Sequence, residues 1–196
     1  MYDTDMPVIR AHGLASPEGL VDVITFCLLT IRQPLQQVAR QFADVRSRGA
    51  ASPYLFSAKR AGWLYANEHK DVLFAAVSKA VEVGDVVGCV DVLTVVPSLG
   101  MVKAAFVAQC LGLNVGCMDM HNIARLGMKP DAFKLPKSLK SSTRLAKITA
   151  YVSLTQKLGA RAWWDSWCAY VAGRRSSPLK TPQEVSRFHV TALCLA

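Results

Sequence analysis

The chain has no Cys-x-x-Cys pair, although six cysteines (Cys27, Cys89, Cys110, Cys117, Cys168 and Cys194) are spread over its 196 residues. A structural zinc site or a redox dithiol therefore has no local support, and no metal or cofactor is expected. There is no uninterrupted run of eighteen apolar residues, because Lys103 and Asp119 bracket the longest candidate. A membrane-spanning helix is not expected. The opening MYDTDMPVIR is acidic and polar, which is not the pattern of a secretory signal. No two-residue alternation demands a sheet, and no internal repeat is evident. Acidic residues are scarce in one half: residues 101–196 hold fourteen Lys/Arg against four Asp/Glu, while residues 1–100 hold nine against ten. The net charge of +9 thus lies wholly on the second half. Such asymmetry points to a polyanionic partner, with DNA the first choice, or simply to a soluble basic surface. These features together predict one all-α domain over residues 1–196 in a reducing, intracellular compartment.

The most informative stretch runs from Asp91 to Gly127, within a unit spanning residues 83–127. Val92, Leu93 and Val96 give one apolar face before Pro97 interrupts it. Gly100 is expected to let the chain reverse. Ala104, Ala105, Val107, Ala108 and Leu111 then form the close-packing face of a second helix, with Gly112 placed to end it. The first backbone N–H groups of that helix lack intrahelical acceptors and suit a phosphate oxygen. Ser98, Leu99, Gly100, Met101, Val102 and Lys103 are therefore candidate DNA contacts. Further on, Asp119 and His121 stand at the start of a fresh helical turn. Asp119 in that place is equally a favourable helix cap.

Val96-Pro97-Ser98-Leu99-Gly100, followed at a helix's length by Cys117-Met118-Asp119-Met120-His121-Asn122, resembles the helix-hairpin-helix DNA glycosylases. The resemblance covers about 35 of the residues directly. It implies two helical lobes with a cleft between them, DNA as partner, and Asp119 as the catalytic carboxylate, with His121 orienting it or a substrate group. Some relatives hold an iron–sulfur cluster on four closely spaced C-terminal cysteines; only Cys168 and Cys194 lie there, so none is expected. Two departures stand out. The first hairpin glycine of that family is Ser98 here, and its lyase lysine aligns with Val102 rather than Lys103. A monofunctional enzyme releasing a damaged or modified base follows from the resemblance. A phage-type relative that joins amino acids to thymine-derived bases in DNA is a second reading, and a non-catalytic DNA-binding protein a third. The setting implied is the cytoplasm or nucleoid of a bacterium or phage-infected cell.

Around this unit, the first fifteen residues look like an extended arm. Ser16 and Pro17 then read as cap and first position of a helix, with Val21, Ile24, Leu28 and Ile31 on its apolar face. Tyr54 and Phe56 lie in a loop, either as anchors to the core or as a wedge for an unstacked base. Residues 58–82 read as helical, and Asp85 as a cap. The segment from Lys129 to Lys147 carries six Lys/Arg and one acid. Lys137, Lys140 and Arg144 there are candidates for phosphate contacts, or members of a solvated linker. Trp163, Trp167 and Tyr170 share a helical face that suits either the core or the lining of a base pocket. His189 fits a packed position on a last helix, which Thr181-Pro182-Gln183-Glu184 begins.

Overall fold

The computed structural model describes residues 1–31, 33, 35–56, 58–129, 131–135, 141–174, 177 and 179–194, with the backbone alone at 36, 121 and 125. Among these residues there are eleven α-helices, one 3-10 turn and no strand. The all-α expectation holds. The helices are α1 (Tyr2–Gly13), α2 (Pro17–Leu29), α3 (Leu35–Arg48), α4 (Ala58–Glu68), α5 (Lys70–Glu82) and α6 (Val86–Leu93). They continue as α7 (Met101–Cys110), α8 (Met120–Arg125), α9 (Ser141–Gln156), α10 (Ala160–Ala172) and α11 (Pro182–Cys194).

Helix α2 is the hub. It packs on α1, α3, α4, α5, α7 and α11. Every residue from Val23 to Leu29 is buried, so the helix is enclosed on all sides rather than amphipathic. Its start is as the sequence suggested: the Gly19 N–H donates to Ser16 Oγ at 3.1 Å, with Pro17 in the first turn. The cap of α6 is also as expected, with the Gly88 N–H donating to Asp85 Oδ1 at 2.8 Å. At α11 the Glu184 N–H donates to Thr181 Oγ1, and Glu184 Oε2 accepts from the Lys180 and Thr181 N–H groups. This is a reciprocal capping arrangement.

The N-terminal segment differs from the extended arm read in the sequence. It forms α1, even with Pro7 inside it. Met6 and Ile9 are buried, and α1 packs on α11 and α2. Asp5, almost fully buried, accepts a hydrogen bond from Ser186 Oγ, to which the Trp164 indole donates in turn. Tertiary burial thus outweighs the poor local propensity of a segment with an internal proline. The helical stretch 58–82 is two helices, broken at His69, which stands at the N-cap position of α5 without a side-chain cap.

The turn between α6 and α7 closes through the Leu99 N–H, which donates to Val96 O at 3.0 Å. Ser98 has φ 71°, the left-handed value required at the third position of a type II turn that begins at Val96. Gly100, expected to carry the reversal, has φ −67° and ψ 170°, which any residue adopts. The reversal belongs to Ser98 because Pro97 fixes the second turn position and pushes the unusual angle to the third. The turn seats against α4: Ser98 Oγ donates to Ala58 O at 2.8 Å, and a Cβ on Gly62 would collide with Pro97 O. Ser98→Ala is expected to cost about 1 kcal/mol, since it keeps the strained angle and loses the hydrogen bond. Ser98→Gly, which loses the bond but relieves the strain, is expected to return close to wild type. Urea unfolding of the three proteins measures both.

Candidate nucleic-acid interface and carboxylate site

The start of α7 is open. Gly100 is exposed, a Cβ there would meet nothing within 4 Å, and α7 has no side-chain cap. Among the described residues, the N–H groups of Gly100, Met101 and Val102 have no hydrogen-bond partner. Leu99 differs: its N–H is used by the turn, and its side chain is buried. The Met101 side chain is buried too, and Val102 is half-buried. In front of these groups lies an open groove of about 400 Å3, lined by Gly100, Met101, Val102, Lys103, Phe133, Lys134 and Leu135. Lys134 is exposed and was not singled out in the sequence, where it is one of many lysines in a basic segment. Only the return of residues 133–135 to the hairpin distinguishes it.

Lys103 turns inward. Its Nζ donates to Thr30 Oγ1 at 2.8 Å and lies 5.2 Å from the Phe106 ring centre. Lys59, from α4, donates to Leu29 O at 3.3 Å. Two ammonium groups therefore meet the electron-rich C-terminal end of α2. Burial lowers the Lys59 pKa, and the Lys103 charge lowers it further. Arg144 is placed against Asp91 of α6, with Nε 2.9 Å from Oδ1 and Nη2 3.0 Å from Oδ2. That pairing holds α9 to the hairpin rather than leaving the guanidinium free for a phosphate. Lys137, Lys140 and the His121 side chain lie outside the described residues. Tyr54 is half-buried against the core, whereas Phe56 is 57% exposed beneath the Lys59 ammonium.

The segment leading to Asp119 is clamped from two sides. Tyr151 of α9 donates from its hydroxyl to Gly116 O at 2.7 Å and accepts from the Met118 N–H at 2.9 Å. Burial pushes the Tyr151 hydroxyl pKa up, so it stays a donor. Asn122 Nδ2 donates to Cys117 O at 2.9 Å. Gly116 lies so close to the Trp163 indole that any Cβ would collide with it. Asp119, half-buried, accepts from the Asn122 N–H through Oδ1 at 2.9 Å, which makes it the cap of α8. Its Oδ2 accepts from Trp167 Nε1 at 3.2 Å. Of Trp163, Trp167 and Tyr170 on α10, Trp163 is buried in the core, and Trp167 reaches the carboxylate. That contact joins positions 48 apart in sequence, and no spacing rule reveals it. Beside Asp119, burial pushes the Cys117 thiol up to about 12, so it is a neutral neighbour and not a nucleophile.

Behind Trp167 lies His189. It is 1% exposed and packed against the rings of Phe26, Phe106, Trp164, Trp167 and Phe188. Its Nδ1 lies 2.9 Å from Val185 O, which assigns the proton to Nδ1, while Nε2 has no partner among the described residues. All six cysteines are free. No three His, Cys, Asp or Glu side chains among the described residues are grouped to hold a metal, and no described helix is long and apolar enough to cross a membrane. Comparison with protein-family models, with characterised proteins and with solved structures gives no match.

Desolvation lowers the His189 pKa to about 4, against an ordinary value near 6.5, with Asp5 opposing and Lys103 reinforcing the shift. The folded protein therefore takes up this proton at lower pH than the unfolded chain does. Stability from this group is complete above about pH 6.5 and falls as pH drops towards 4, by on the order of 3 kcal/mol. Burial also raises the Asp22 pKa, against the opposing charges of Arg46 and His12. The difference between wild type and His189→Phe in chemical unfolding across pH 7 to 4 isolates the histidine. The stability gap between the two proteins is expected to move in favour of the variant as pH falls.

Proposed function

We propose that the protein is a DNA-binding, base-flipping enzyme of helix-hairpin-helix glycosylase type, with its cleft at Asp119 and its DNA-docking face at the start of α7. The observation that carries this reading is the placement of Asp119. It is a half-exposed carboxylate on the cap of α8, held by donors on both oxygens, in the segment that follows a helix, a type II turn and a helix with an open N-terminus. The unpaired N–H groups of Gly100 to Val102 would receive one phosphate, with Lys134 across the groove supplying charge. That contact sets the register of protein on duplex. The target base leaves the stack before any chemistry, because the duplex hides its sugar bond.

In the reaction, the C1′–N bond breaks with its electron pair leaving on the base, and positive charge develops on the sugar. Water adds to C1′ and gives its proton to Asp119, which also stabilises the cationic sugar; the departing base takes a proton from solvent, and Asp119 returns its own to solvent. No cofactor is required. Lys103 is hydrogen-bonded to Thr30, and the hairpin position of a lyase lysine holds Val102, so hydrolysis without strand cleavage fits these residues best.

Gly100→Asp tests the docking face. Its side chain enters open space and caps α7, so folding stability is expected to hold or rise slightly. A carboxylate placed where the phosphate would sit is expected to weaken duplex binding about tenfold and to flatten its salt dependence. Unchanged affinity in a fluorescence-anisotropy titration would remove α7 from the interface.

A further inference from the structure

We propose that His189 Nε2 reads an N–H group of the flipped base, and that Trp167 covers this position in the free protein. The proposal rests on the Asp119 reading above and adds to it what the pocket recognises. A buried acceptor without a donor costs free energy that phenylalanine or leucine in the same space would not. The tautomer is set by Val185 O, so Nε2 is a lone pair in search of a donor. Three of the five rings around it, Phe26, Phe106 and Trp164, are buried. Trp167 and Phe188 are half-buried and form its outward side. Asp119 lies on the Trp167 side.

Trp167 itself is placed as a base would be. It is a planar heterocycle, 5.4 Å centre to centre from the His189 ring, and its one N–H donates to Asp119 Oδ2. At 3.2 Å that bond is at the long end of the ordinary N–H···O range. A flipped base arriving at Asp119 meets this indole first. When the indole swings aside, the base takes its place among apolar rings and satisfies His189 Nε2 with an exocyclic amine or ring N–H. The ligand class is thus a planar nucleobase with at least one N–H donor.

The test uses two duplexes that differ in one base opposite an abasic site: 2-aminopurine, which has an exocyclic amine, and unsubstituted purine, which has no N–H donor. Wild type is expected to bind the first about fivefold more tightly, the worth of one hydrogen bond. His189→Phe should lose that preference while binding a fully paired duplex as wild type does, and His189→Gln, which keeps an acceptor, should recover part of it. With 5-fluorotryptophan incorporated, the resonance missing from Trp167→Phe should shift on adding the 2-aminopurine duplex and not the paired one. Equal affinity of wild type for the two damaged duplexes, or a preference that survives in His189→Phe, would overturn the assignment while leaving DNA binding intact. A still Trp167 resonance would overturn its covering role. Failure of wild type to bind any duplex would overturn the DNA reading together with this one.

Discussion

Everything near the candidate site hangs on the burial of α2. Its side chains from Val23 to Leu29 are removed from water on all sides, each large one contributing about 2 kcal/mol of apolar burial. A helix so enclosed leaves its last carbonyls with no water to satisfy them. Lys59 and Lys103 reach that end from α4 and α7 and bind Leu29 O and Thr30 Oγ1. The same two contacts fix where the hairpin stands. Lys103 anchors the start of α7, Gly62 lets the Val96–Leu99 turn close against α4, and the N–H groups at Gly100 to Val102 are left without partners among the described residues. The open helix start is a consequence of how the buried helix end is satisfied.

A second chain of constraints holds the carboxylate. Tyr151 grips the backbone at Gly116 and Met118, Asn122 grips Cys117, and the Asn122 N–H fixes Asp119 Oδ1, while Oδ2 meets Trp167 in the free protein. Each bond is individually worth about 1 kcal/mol. Together they leave a charged group few alternative positions, which is what electrostatic stabilisation of a developing cation requires. Arg144 and Asp91 tie α9, the carrier of Tyr151, to the first hairpin helix. Hairpin and carboxylate are therefore parts of one braced unit.

Much of this was legible in the sequence, for physical reasons. The caps at Ser16, Asp85 and Thr181 are local events between residues three apart, and all three form as read. The apolar spacing around the hairpin gave both helices and their order. What the sequence hid is non-local or locally unfavourable. α1 contains a proline and forms only because Met6, Ile9 and Asp5 find partners on distant helices. The left-handed residue is Ser98 and not Gly100, since an allowance for unusual angles does not say which residue uses it. α2 read as amphipathic from the spacing of Val21, Ile24, Leu28 and Ile31, yet Asp22 on another side meets His12 of α1, so the helix is packed there too. Arg144 was one basic residue among several, and only the fold brings Asp91 to it. Trp167 and His189 gain their interest from where Asp119 lies, which no spacing encodes.

The most direct measurement is mass spectrometry of free bases and nucleosides after incubating wild type and Asp119→Asn with DNA from the protein's own source. Asparagine caps a helix as well as aspartate does, so the variant keeps the fold and loses only the charge. Base-flipping hydrolysis predicts a free base released by wild type and absent with the variant. A heavier nucleoside with no base released, or no change with either protein, would contradict it.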